Sequence, residues 1–518
     1  MLKKYSTTAS VLLLIFGQLI SQDGIQLNTP EAYPSYTLFQ NWNHTYLVDN
    51  CGTKVADWSE ITQSSYHPKI LPSGNLIHIN NNEIVEHDWD GNIVKTTTTI
   101  QELNLDLIYE VTVLPNGNYM ALGRRIESPD FFNTLGYNEN SGNFSWDDTI
   151  VEIDPDTQEL VWEWRISDHI IQERDSTLAN YGSLSDNPQL LNVDAISTYD
   201  WTSRESFMIN GFDYNPDLDQ IALSVRKISE VIIIDHSTTT EEAKEDTGGR
   251  YGKGGDILYR WGNPQNYSQG GPQDRILYFQ HNPNWIEHGV YKGSIIIFNN
   301  GLNRPNTTFN TRYSTVEIVK TDINLDGSYS KTDGQPFRPI NSDYTLSGEV
   351  HDFYSSYTCG AKVLPNENIY LNIGGQLLEY DMQGNKVWEY SAPLTGVVFR
   401  TEKYALDYPA FIENQPIPDG SVELVTSPYD CQYYDSSHTE EIEKALSEIS
   451  LVQTDGMITL DFKYPFEYSL YNSNGTLVNY QPNYKSQHII RTYSYTPGLY
   501  IVHIKTDSQI ESKKIFIK

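Results

Sequence analysis

Three stretches of this chain are versions of one another: Ile70-Leu71-Pro72-Ser73-Gly74-Asn75-Leu76-Ile77, Val113-Leu114-Pro115-Asn116-Gly117-Asn118-Tyr119-Met120 and Val363-Leu364-Pro365-Asn366-Glu367-Asn368-Ile369-Tyr370. Each reads as an apolar strand end, a turn built from Pro and Asn, and the start of a new strand. An Ile/Leu-x-Glu-x-Asp pattern and a further turn follow each copy, at Ile84 to Asn92, Ile150 to Thr157 and Leu377 to Asn385. Aromatics close two of the units, Trp162 with Trp164 in one and Trp388 in another. Repeated four-strand units of this kind build β-propellers, whereas the unrelated hairpins of a sandwich have no reason to share a turn.

Working outward, units begin near His67, Tyr109, Met208, His281 and Cys359. A sixth combines the N-terminal strands from Tyr36 to Trp58 with the segment after Pro393, the ring closure that propellers commonly need. In the central unit, Met208 to His236, Asn215-Pro216-Asp217 punctuates the chain and two strands follow, Gln220 to Val225 and Val231 to Ile234. Long loops at Glu127 to Asn143 and Ser237 to Gly255 enlarge individual units. Arg226 ends the first run and Asn210 precedes the turn. A guanidinium and an amide at one end of a sheet suit a tetrahedral oxyanion such as sulfate or phosphate. Taken singly, Arg226 pairing with Glu230 or Asp213, Asn210 capping a turn and His281 as a hydrogen-bonded structural residue are the favoured readings.

Composition narrows the class. The chain has 518 residues, 35 Lys plus Arg against 68 Asp plus Glu, and a net charge of -33. Such acidity argues against nucleic-acid binding, which needs a basic surface. The 37 Tyr, 10 Trp and 34 Gly favour strands and tight turns. Residues 1–22 carry Lys3 and Lys4, an apolar middle and Ser21-Gln22, the pattern of a secretory signal peptide. No later run reaches membrane-spanning length. Cys51, Cys359 and Cys431 allow three disulfide pairings in an oxidising compartment, with one thiol left over, and lack metal-site spacing.

Several segments together resemble the bacterial arylsulfotransferase family: Asn210 to Arg226, Gly248-Gly249 with Gly252 to Gly255, Tyr259-Arg260-Trp261-Gly262-Asn263-Pro264, Phe279-Gln280-His281 through Trp285-Ile286, Asn299-Asn300-Gly301 and Phe353-Tyr354-Ser355. The resemblance covers roughly Tyr36 to Tyr404. It implies a six-bladed propeller that moves a sulfuryl group from an aryl sulfate donor to a phenolic acceptor without a nucleotide donor. The carrier would be His281, the His of the family's Gln-His pair, with Arg226 and Asn210 holding the sulfuryl oxygens. Two family histidines are here Tyr109 and Met208, at positions that bind the sulfuryl group and handle the phenol proton. A thioether can do neither at neutral pH. Ordinary strand or loop positions are the favoured reading of His67, which opens the first repeat, and of His351; of the two, His67 is the first choice to compensate. His236 and His288 read as surface residues.

Beyond about Ile449 the chain changes character. Glu467 to Val478 alternates around an Asn-Gly turn, and Thr496 to Ile504 and Lys513 to Lys518 follow as strands. This tail is similar to the C-terminal sorting domain of type IX secretion substrates, which implies the type IX machinery as a partner and secretion or cell-surface display.

The expected architecture is therefore all-β: a signal peptide at 1–22, a six-bladed β-propeller over 30–437, a linker at 438–448 and a small β-sandwich over 449–518. No metal or nucleotide cofactor is implied. The rival to a sulfotransferase is a catalytically impaired propeller that binds a sulfated or aromatic ligand, or a protein partner, at the cell surface.

Overall fold

The computed structural model describes residues 23–433 and most of 450–517, leaving out 42–43, 60, 63–66, 99–102, 138–144, 197–204, 348–352, 394–397 and 424–426, and short segments between the later strands. The expected signal peptide, linker and His351 lie outside the described residues. No described helix is long and apolar enough to cross a membrane.

The chain is all-β. Six antiparallel sheets are formed between residues 24 and 405. Sheet 1 comprises Ser35–Asn41, His44–Val48 and Lys54–Asp57, with Thr401–Ala405 paired to the free edge of Ser35–Asn41. Sheet 2 runs from Lys69–Ile70 through Leu76–Asn80 and Glu83–His87 to Ile93–Thr97. Sheet 3 contains Leu105–Val113, Tyr119–Ile126, Trp146–Asp154 and Glu159–Arg165. In sheet 4, Ile209–Asn215 precedes Gln220–Val225, Glu230–Asp235 and Tyr259–Trp261. The central unit thus has a first strand, Ile209–Asn215, that its two apolar runs did not reveal. Sheet 5 holds His281–Trp285, Ile295–Asn299, Thr315–Val319 and Tyr344–Leu346. Sheet 6 holds Gly360–Val363, Ile369–Ile373, Gln376–Tyr380 and Lys386–Ser391, with Gly24–Asn28 as a fifth strand.

The repeated turns explain their own sequence. In all three, the Leu N–H donates to the carbonyl of the Asn four residues on, at 2.8 Å for Leu71, Leu114 and Leu364. The residue before that Asn lies in the left-handed region, as Gly74 (φ 89°), Gly117 (φ 90°) and Glu367 (φ 69°). Glycine takes this conformation without strain and glutamate does not. The turn Asn then donates to the Glu of the following Ile/Leu-x-Glu pattern: Asn75 to Glu86 at 2.6 Å, Asn118 to Glu152 at 2.5 Å and Asn368 to Glu379 at 2.7 Å. The two sequence signatures are one hydrogen-bonded device that clasps neighbouring strands within a sheet.

Sheet faces pack against sheet faces. In sheet 4 every residue of Gln220–Val225 and Glu230–Asp235 is buried, which is why both strands are nearly continuous Ile, Leu and Val. Each such side chain contributes about 1.5–3 kcal/mol on burial. The inward residue Glu230 is matched by Arg260 on the neighbouring strand.

Disulfide pairing, open in the sequence, is Cys51–Cys431, with Cys359 a buried free thiol. The bond holds a strap against the N-terminal strand: Ser427 Oγ donates to Ile25 O, Tyr429 Oη to Asn28 O, and Asn28 Nδ2 to Gln432 O. In the tail, Phe466–Asn472, Leu477–Tyr484, Gly498–Lys505 and Ile510–Ile517 form one sheet, and Ser450–Thr454, Met457–Asp461 and Gln487–Arg491 another. Leu460 and Ile490 from the second sheet share an apolar core with Tyr468, Leu470, Val502, Ile504, Ile515 and Ile517 of the first.

Candidate active site

The first strands of sheets 3, 4 and 5 each carry a register break: between Ile108 and Val111, Ile209 and Phe212, and His281 and Asn284. Such bulges bend the strand and re-aim its side chains. They fall on Tyr109-Glu110, Asn210-Gly211 and Asn282-Pro283, beside left-handed residues Tyr109 (φ 62°), Met208 (φ 61°) and Asn282 (φ 58°). The bulged strands are laced together: Glu110 Oε1 accepts from Phe212 N at 2.9 Å, and Asp213 Oδ2 from Trp285 N at 2.7 Å. This answers one of the alternatives left open for Arg226, since Asp213 is engaged with Trp285 and Glu230 with Arg260.

Arg226 instead turns toward Met208 and the 356 carbonyl. Its Nη1 lies 3.6 Å from Met208 Sδ, its Nη2 3.5 Å from Ser356 O, and its guanidinium sits 5.0 Å from the centre of the Phe279 ring. Burial lowers its pKa to about 10, so it remains cationic at neutral pH. Asn210 Nδ2 donates to Gln280 O at 2.8 Å, while its Oδ1 is buried with no hydrogen-bond partner among the described residues. Asn210 is no turn cap. Gln280 anchors the strand entry by donating to Ser224 Oγ, Val225 O and Glu230 O.

His281 follows Gln280 and is 3% exposed. Its Nδ1 is 2.7 Å from Asn300 Oδ1, and its Nε2 is 3.2 Å from the backbone N–H of Thr358. Burial, then the nearby Arg226 charge, holds its pKa well below the usual histidine value, so the ring is a neutral imidazole at physiological pH. A buried neutral imidazole beside a guanidinium is chemically suited to nucleophilic attack on an anionic centre.

Tyr109 stacks on Phe399 at 4.9 Å, and its hydroxyl accepts from Arg124 at 3.1 Å. Arg124 is paired with Glu205 and lies 3.9 Å from Asp148. Asp148 Oδ2 accepts from Met208 N at 2.7 Å, and burial raises its pKa to about 7. Tyr109, Met208, Asn210, Arg226 and His281 therefore belong to one continuous cluster.

His67 belongs to a different one. Its Nε2 lies 2.8 Å from Glu402 Oε1 and its Nδ1 3.5 Å from Glu110 Oε2, with Arg400 on Glu110 at 2.5 Å and Lys362 on Glu402. The space between His67, Asn282 and Arg400 holds about 10 Å³, no more than a water needs. The compensating role expected of His67 conflicts with this arrangement, because both ring nitrogens face carboxylates. His236, expected on the surface, is wedged between Glu152 at 2.9 Å and Asp219 at 2.7 Å; His288 is exposed. Sequence reasoning passed over Arg124, Asp148, Glu205 and Arg400, whose signal is a charged residue on an otherwise buried strand or strand entry. Asn300 stands within the Asn299-Asn300-Gly301 motif. Among the described residues no group of His, Cys, Asp and Glu side chains is arranged to hold a metal ion.

No curated protein matches this chain. A structure of a protein of unknown function from Bacteroides caccae covers 71% of this chain and 98% of its own at 10% identity and a TM-score of 0.39. A β-propeller domain from Myceliophteria thermophila covers 74% and 89% at 12% identity and a TM-score of 0.33. Residues 454–518 match the secretion system C-terminal sorting domain, which marks the protein for secretion or cell-surface export through the type IX machinery. Residues 28–403 match Arylsulfotransferase (ASST), and the chain belongs to the arylsulfotransferase family.

Proposed function

We propose that the protein is an exported aryl-sulfate sulfotransferase in which the six sheets are the blades of one propeller, the tail sheets form a sorting sandwich, and His281 carries the sulfuryl group. The reading rests on family membership together with one observation: a buried, neutral imidazole beside the Arg226 guanidinium. In the first half-reaction an imidazole nitrogen of His281 attacks sulfur. The bond from sulfur to the aryl oxygen breaks, and its electron pair leaves with the aryl oxide. In the second, the acceptor phenol attacks sulfur, the S–N pair returns to the ring, and the acceptor's proton ends on the released phenol. Arg226 and Asn210 hold the sulfuryl oxygens throughout. Fixed donors of this kind supply electrostatic stabilisation without reorganisation.

A second reading, a binding propeller without turnover, is favoured by Met208, whose thioether faces Arg226 where the family places a histidine. The experiment that separates the two is transfer of sulfate from a chromogenic aryl sulfate to a phenol, with His281→Ala alongside. Turnover lost in the variant supports the transferase. A folded wild-type protein that is silent across a broad donor and acceptor panel sinks it and leaves the binding reading.

A further inference from the structure

Asn300 sits at the junction of sheet 5 and the 355–358 segment, and its three side-chain hydrogen bonds decide more than packing. Its Nδ2 donates to two backbone carbonyls, Ser355 O at 2.9 Å and Thr358 O at 3.2 Å. Carbonyls only accept, so the amide is orientated by its surroundings and its Oδ1 must face His281 Nδ1. An oxygen there requires Nδ1 to carry the proton. From the other side of the ring the Thr358 backbone N–H points at Nε2. A backbone N–H only donates, so Nε2 must hold a lone pair. Two groups that cannot reverse their polarity thus specify the same tautomer. Ser314 supports the frame, its Oγ donating to Asn300 O at 2.9 Å and accepting from Ser355 N at 3.1 Å.

Resting on the sulfotransfer reading, we propose that Asn300 is a positioning residue that fixes His281 as its Nδ1–H tautomer, making Nε2 the nitrogen that attacks sulfur. The Nε2 lone pair forms the N–S bond while the bond from sulfur to the aryl oxygen breaks and its electrons leave with the aryl oxide. The ring becomes cationic, and Asn300 Oδ1 continues to accept from Nδ1–H, so no proton has to move within the ring during the step. The Thr358 N–H that covers Nε2 at rest gives way as sulfur approaches. It lies on a stretch in which Thr358 (φ 56°) and Cys359 (φ 83°) both occupy the left-handed region, a conformation that costs energy for a β-branched residue.

Selective ¹⁵N-histidine NMR on the whole protein tests this without needing turnover. Wild-type His281, assigned by its loss in His281→Ala, is expected as the neutral Nδ1–H tautomer across the neutral pH range. Asn300→Asp keeps an acceptor on Nδ1 and adds a negative charge, so the tautomer is retained and the protonation midpoint of His281 rises, by about one unit or more. In the transfer assay Asn300→Ala lowers kcat by roughly 10- to 100-fold, the scale for removing a partner that orients a reacting group. KM for the donor stays within about twofold in that variant. An Nε2–H tautomer in the wild type, or an unmoved midpoint in Asn300→Asp, overturns the assignment. The expected spectra in a protein that transfers nothing uphold the assignment while sinking the sulfotransfer reading, so the two failures are distinguishable.

Discussion

Arg226 and Arg400 are both buried, at 4% and 2% exposure, and their surroundings are opposite. Arg400 meets the carboxylate of Glu110 and donates to the carbonyl of Asn210, inside a cluster where His67, Lys362 and Glu402 complete the pairing. Arg226 meets a thioether, a carbonyl at 3.5 Å and the face of Phe279. Matched charges tie sheets together: Glu110 reaches from sheet 3 to sheet 4, and Arg400 joins the segment before Thr401 to both. Weak acceptors such as a thioether are readily displaced by an anionic ligand. Arg400 is built into the frame, and Arg226 is the arginine proposed to meet the sulfuryl oxygens.

The comparison is broken most severely at Arg400. Arg400→Leu leaves Glu110 buried without its main cation, and such losses cost about 3–5 kcal/mol. The urea midpoint is expected to fall accordingly; an unchanged midpoint would dissolve the distinction between frame and site. Arg226→Gln is expected to behave in the reverse manner. Transfer falls by roughly 10²–10³-fold, as for a lost transition-state donor, while the urea midpoint falls less than in Arg400→Leu. Melting and turnover measured on one preparation separate the two arginines.

Met208→His sharpens the contrast by placing a titratable group against Arg226. If proton handling limits turnover, kcat rises by about 10²-fold. Unaltered turnover would instead direct attention to neighbouring Asp148, whose raised pKa of about 7 suits it to exchange protons.

The smallest effect is on pH dependence. Burial opposes protonation of His236, but Asp219 and Glu152 outweigh it and raise its pKa to about 9 from 6.5. The folded state binds this proton more tightly than the unfolded chain. The contribution, about 3 kcal/mol at most, is therefore complete below pH 6.5 and lost as pH rises toward 9. Wild-type protein is expected to lose thermal stability across that window, and His236→Gln to lose less. Glu110 and Glu402 work in the other direction: burial is outweighed by Arg400 and Lys362 respectively, both pKa values lie below the ordinary range, and their stabilisation is lost as pH falls.

Particular residues show how far the sequence could be read. The Leu-Pro-x-x-Asn turns predicted new strands that the structure starts at Leu76, Tyr119 and Ile369. The joining of the N-terminal strands to the segment after Pro393 is seen in the pairing of Ser35–Asn41 with Thr401–Ala405. Arg226 and Asn210 could be raised as candidates from their side-chain chemistry, and His281 from the family resemblance of its Gln-His pair. His67 could not be judged from sequence, because a histidine's task depends on what faces its two nitrogens, and the facing groups Glu110 and Glu402 are distant in the chain. The strand Ile209–Asn215 was hidden because its alternation is interrupted by a bulge.

By itself, then, the sequence determined the repeat, the turns, the all-β class and the chemical types available to the site, because turn geometry and strand preference are settled within a few residues. Tertiary structure alone decided which cation meets which carboxylate, that Cys51 bonds Cys431, and which way Asn300 faces. The reason is physical. These choices depend on desolvation and on groups brought together across as many as 380 residues, and a buried charge or amide takes its role from whichever neighbours remain once water has been excluded.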